Sequence, residues 1–250
     1  MNIILLFILL LLMIYVGGKR GFKIFISLVM NFIVLIITFY LITLGLNTVV
    51  VTLLGCLVVS YITLYYVNSE NIKTKASMKS IFLTLILLIS FVFLYTYITR
   101  IAGFSYESYE EINMFSYDIG IDYTDISTSM ILIGLIGATI DASIAISTAL
   151  YEVYLNNKKL SSKELFKSGI NIGKDILGTT VNTLLFAFLG EFMTLIIWFN
   201  ECNYTFATII NSKIFVQEFV KVSFSIIGCL IVIPTTAYII SRDIKKKSNL

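Results

Sequence analysis

The sequence predicts an all-α, polytopic transmembrane helix bundle of about seven spans, with no soluble domain of any size. Two observations of composition and one of pattern lead there. Hydrophobic residues fill 58% of the 250 positions and charged residues 13%, whereas soluble domains run at roughly 45–50% and about 25%. Mean hydropathy is +0.94. The apolar residues are also gathered into long runs. A helix crossing a hydrocarbon core of about 30 Å needs roughly 20 of them.

The runs are Ile3–Val16, Ile24–Leu44, Val49–Val67, Ile81–Ile98, Ser129–Tyr151, Ile176–Trp198 and Val222–Ile240. Residues 1–250 are therefore expected to form a single integral membrane domain. The first run is the shortest. No basic residue precedes it, and Gly17-Gly18-Lys19-Arg20 follows it. That flank resembles a stop-transfer signal more than a cleavage site, so an uncleaved first helix is expected.

Charge sets the orientation. Taken alternately, one set of loops holds fifteen of the eighteen Lys and Arg residues: Lys19 to Lys23, Lys73 to Lys79, Lys158 to Lys174, and Arg242 to Lys247. The other set holds Arg100, Lys213 and Lys221. The positive-inside rule makes the first set cytoplasmic, with the N-terminus outside and the C-terminus in the cytoplasm. The net charge of +3 follows from this topology and requires no nucleic-acid partner. The longest external loop, residues 100–126, is acidic, with Glu107, Glu110, Glu111, Asp118, Asp122 and Asp125 among interleaved tyrosines. It reads as an interfacial loop or a weak cation-attracting vestibule, and it lacks a calcium-loop pattern.

Other chemistry is restricted. There is no histidine, so proton chemistry falls to carboxylates. Cys56, Cys202 and Cys229 have no metal or disulfide spacing. No nucleophile–base pair and no phosphate-binding glycine loop is present. No enzyme activity, cofactor or metal site is expected.

The first four spans are nearly featureless, with Asn31 their most notable interior polar residue. The fifth and sixth differ. In the fifth, Gly134, Ala138, Asp141, Ala145, Thr148 and Glu152 fall at helical spacing on one face. In the sixth, Asn171, Asp175, Gly178 and Asn182 do the same, with Thr179 and Thr183 beside them. The bland reading is a helix–helix seam, with Gly134, Ala138 and Gly178 allowing close approach. The sharper reading is an ion or proton path. Asp141 is mid-span, where a charged carboxylate costs at least about 2.5–3.5 kcal/mol. Ser161-Ser162-Lys163-Glu164 reads as a capping box. It is expected to open a short cytoplasmic amphipathic helix over residues 161–173, lying on the membrane surface. Pro234 is expected to kink the seventh span.

Residues 134–149, GLIGATIDASIAISTA, and 164–184, ELFKSGINIGKDILGTTVNTL, resemble the YibE/F-like bacterial membrane proteins. The match is densest over residues 130–190, and GGKRG after the first span agrees with it. Glu191 departs from it, standing where a small residue is expected. The resemblance implies a bacterial cell-membrane protein and brings no substrate. A fainter, fold-level likeness to the SecF and resistance-nodulation-division transmembrane half would make spans two to seven one six-helix unit.

Together these readings predict a transport-type role: a half-transporter using Asp141 for proton or cation coupling. Asn171, Asp175, Thr179, Asn182 and Thr183 would complete the path. The partners expected are the lipid bilayer and a related multi-pass subunit, such as a longer paralogue with an external domain. The competing expectation is a non-transporting scaffold or assembly factor whose polar stripe packs helices.

Overall fold

The computed structural model describes residues 2–99 and 123–248. The acidic stretch of residues 100–122 lies outside the described residues. Among those described, the chain forms seven α-helices and one π turn: α1 (Asn2–Thr43), α2 (Thr48–Tyr61), the π turn (Ile62–Tyr66), α3 (Ile72–Thr99), α4 (Tyr123–Asn156), α5 (Ser162–Glu201), α6 (Phe206–Asn211) and α7 (Lys213–Ser248). The chain is thus an all-α bundle. Among the described residues, six helical segments are long and apolar enough to cross a membrane.

The expected seven runs map onto six segments because the first two share α1. Helical geometry breaks inside it at Gly18, with φ 54° and ψ −134°. Glycine adopts that left-handed φ without a Cβ penalty. The chain doubles back there. A Cβ on Gly21 would collide with the Met13 carbonyl, although a straight helix holds residues eight apart about 12 Å from each other. The runs 3–16 and 24–44 thus lie on opposite sides of a sharp turn.

The four basic segments meet at one end of the bundle. Arg20 Nη2 donates to Asn68 Oδ1 at 2.9 Å. Lys79 Nζ pairs with Asp243 at 2.7 Å. Lys245 Nζ donates to the Lys158 carbonyl at 3.1 Å.

Helix α4 is the centre. It packs against α2, α3, α5 and α7, and 56% of its most apolar stretch is buried, against 11% for α5. Its inner face carries Leu132, Leu135, Ile146 and Leu150, fully buried with Leu85 and Leu88 of α3 and Ile240 of α7. Hydroxyls tie these three helices. Ser143 Oγ lies 3.0 Å from both Ser80 Oγ and Thr236 Oγ1, and Thr236 donates to Ser80 at 2.8 Å. One turn away, Ser77 and Ser147 share a bond of 2.9 Å. Lipid gives apolar helices little reason to associate, so close packing and such interhelical bonds must hold them.

Helix α5 corrects one expectation. The capping box at Ser161 and Glu164 forms, but the helix it opens runs unbroken to Glu201. Residues 161–173 are its first three turns, not a separate surface helix. Gly169 and Gly173 let α5 press on its neighbours instead of ending a helix. A Cβ on Gly169 would sit 2.7 Å from Leu150 Cδ1 and 2.9 Å from Ala237 Cβ, and one on Gly173 would strike Ile233. Farther along, Phe188, Phe192 and Phe199 form a second cluster against Tyr204, Phe215 and Val222. Pro234 lies inside α7, which stays one helix across it.

Candidate functional site

The contacts of Gly169 with Leu150 and of Gly173 with Ile146 fix the antiparallel register of α4 and α5. Five residues farther, that register sets Asp141 level with Gly178. It sets Gly137 level with Asn182. Asp141 lies about 22 Å along α4 from Asn156, close to the midpoint of a helix spanning Tyr123–Asn156. The level shared by Asp141 and Gly178 is therefore the middle of the bundle.

This level faces outward. Asp141, Gly134 and Gly137 are exposed, as is Glu152, while Ala138, Ala145 and Thr148 are half-buried. On α5, Asn171, Asp175, Gly178, Thr179, Asn182 and Thr183 are all exposed. Among the described residues, no atom outside their own helix backbone lies within 4 Å of a Cβ placed on Gly137 or Gly178, whereas one on Gly134 would meet the Lys221 stem. Among the described residues, the two threonines bond within their own helix, Thr179 to the Ile176 carbonyl at 2.9 Å and Thr183 to the Thr179 carbonyl at 3.0 Å. Among the described residues, the side chains of Asp141, Asn171, Asp175 and Asn182 have no hydrogen-bond or ionic partner.

The polar residues form a track rather than a point. From Asn171 to Asn182 they rise about 16 Å along α5, from near the basic end to the level of Asp141. Beyond that level the exposed side chains of α5 turn largely apolar: Leu185, Phe186, Leu189, Met193, Ile196 and Ile197. Glu191 stands apart near the opposite end, exposed and 4.0 Å from Lys221, which also pairs with Glu218.

One of the two sequence readings of this stripe is a helix–helix seam. Within the chain, the bonding of such a seam falls to Ser77, Ser80, Ser143, Ser147 and Thr236, every one fully buried. A signal for them exists: Thr74, Ser77, Ser80 and Thr84, and Thr139, Ser143 and Ser147, recur at three- and four-residue spacing in apolar helices. Asn31 does act across helices, its Nδ2 donating to Thr63 Oγ1 at 3.0 Å.

No curated protein and no solved structure matches the chain, so the fold-level likeness to the SecF class gains no support from a solved relative. The model of the YibE/F-like protein family matches residues 5–246. That range takes in the doubled first helix, the hydroxyl junction and both strips of the outward polar face. The chain belongs to the YibE/F-like protein family.

Proposed function

We propose that this membrane protein is a half-transporter subunit, not an enzyme, in which Asp141 takes up and releases a proton or cation. Asn171, Asp175, Thr179, Asn182 and Thr183 supply the polar track to it from the basic end. A related multi-pass subunit covers the face that this chain leaves open. The working site is a bacterial cell membrane with the basic end in the cytoplasm, an orientation that the lysine and arginine asymmetry supports.

One observation carries the reading: an exposed carboxylate at mid-helix, level with an open glycine and, among the described residues, without a hydrogen-bond or ionic partner. Facing lipid, that carboxylate costs at least about 2.5–3.5 kcal/mol when charged. Covered by a second polar face, it becomes a group that can exchange its charge. The substitution Asp141→Asn keeps shape and hydrogen bonding but removes titration. Expressed in a deletion strain, Asp141→Asn is expected to assemble normally and to lose cellular function. Full complementation would refute the carrier role.

The scaffold reading rests on the open positions Gly137 and Gly178. Small residues there permit close helix approach without any titration. Full complementation by Asp141→Asn would select that reading.

A further inference from the structure

A different part of the molecule forms an open groove at its basic end. Tyr61, Tyr65, Tyr66, Glu70 and Met78 line it. The tyrosines lie on and beside the π turn Ile62–Tyr66, a winding that occurs mostly as single turns and often at functional sites. This turn is held from outside. Asn31 Nδ2 donates to Thr63 Oγ1 at 3.0 Å, Asn68 Nδ2 to the Thr63 carbonyl at 3.5 Å, and Arg20 Nη2 to Asn68 Oδ1 at 2.9 Å. The Tyr61 and Tyr65 rings, one helical turn apart, lie 4.9 Å from each other and are tilted by 48°.

Two charges border the rings. Glu70 pairs with Lys75 at 2.7 Å, and both side chains are more than half exposed, so a ligand can reach the pair. Both charges are close enough to act on the Tyr65 phenol. Aromatic faces and a carboxylate together attract an ammonium group, while Lys75 offers a donor to a phosphate. The pair therefore complements a zwitterion whose ammonium and phosphate lie a few bonds apart. Toward the membrane centre, Leu54 and Val58 continue the Tyr61 face of α2 as exposed apolar surface, a bed for acyl chains.

We propose that this groove binds the phosphoethanolamine headgroup of a membrane phospholipid from the leaflet at the basic end. The ammonium rests on Tyr61, Tyr65 and Glu70, and the phosphate meets Lys75. A purely anionic headgroup suits the groove less well, because Glu70 repels it, and Lys79 is already engaged by Asp243.

The test uses the full-length protein, delipidated in detergent and titrated with dioleoyl phosphatidylethanolamine, dioleoyl phosphatidylglycerol or free phosphoethanolamine. Native mass spectrometry reads bound lipid. Retention of the ethanolamine lipid is expected to exceed that of the glycerol lipid severalfold, with free phosphoethanolamine ineffective at matched concentration. Glu70→Gln and Tyr61→Leu, both at exposed positions, are expected to cut that retention about three- to tenfold with helix content unchanged. Equal retention of the glycerol lipid, or parental retention by both variants, would overturn the proposal. Equal binding of free phosphoethanolamine would overturn its assignment to lipid.

Discussion

Asp141 and Ser143 stand two residues apart on α4 and live in opposite worlds. Ser143 is fully buried and bonded to Ser80 and Thr236, while Asp141 is exposed and has no hydrogen-bond or ionic partner among the described residues. Their substitutions should differ accordingly. Ser143→Ala is expected to destabilise the detergent-solubilised subunit by about 1–2 kcal/mol, with a coupling to Thr236→Val near 0.6 kcal/mol, typical of interhelical bonds in membranes. Asp141→Asn should leave the same unfolding curve unchanged within about 0.5 kcal/mol, as expected for a surface substitution. A large loss in Asp141→Asn would place that carboxylate in the bundle's own framework. Asp141 was legible in the sequence because a lone charge inside an apolar run stands out. The hydroxyl junction was not, because a serine in a transmembrane helix can equally bond its own backbone. Thr96 does so, donating to the Val92 carbonyl at 2.8 Å.

Helix α5 shows how one residue type takes two tasks within five positions. Gly173 presses on Ile233 and Ile146, whereas among the described residues no other element comes within 4 Å of a Cβ on Gly178. Gly173→Leu is expected to overpack the junction with α7 and cost about 1–3 kcal/mol or more in the isolated subunit. Gly178→Leu should leave the isolated subunit as stable as the parent and abolish its assembly with the partner. Thermal unfolding of the purified chain and recovery of the complex from native membranes separate the two effects. If Gly178→Leu assembles normally, this face is not the interface. The sequence marked the start of α5 through its capping box, since Ser161 and Glu164 act locally. It misled over residues 161–173, expected as a short surface helix, where Gly169 and Gly173 instead sit inside one long helix. Their purpose is contact with Leu150, Ala237 and Ile233, which no local pattern reveals. Gly18 was the reverse case: the two runs around it were plain, but the sharp turn within one helical segment depends on a backbone angle.

At the scale of the whole molecule, the basic segments and the polar face define two directions, one across the membrane and one sideways. The segments around Arg20, Lys79, Lys158 and Lys245 are brought together by ion pairs and hydrogen bonds at one end. A cysteine at position 158, in a background lacking Cys56, Cys202 and Cys229, is expected to resist a membrane-impermeant reagent in intact cells and to react after permeabilisation. Labelling in intact cells would reverse the topology. Span positions and charge asymmetry were legible because membrane insertion reads composition. The sideways direction was only half legible, since a polar stripe looks the same in sequence whether its own bundle or another chain covers it. The central claim is that another chain does. It is tested most directly by placing a diazirine side chain at Thr183, on the polar face, or at Phe91, exposed on the apolar surface of α3, and irradiating native membranes. The expected result is a crosslink from position 183 to a second multi-pass membrane protein of the same family, with position 91 yielding lipid adducts alone. Lipid adducts alone at both positions would contradict the account.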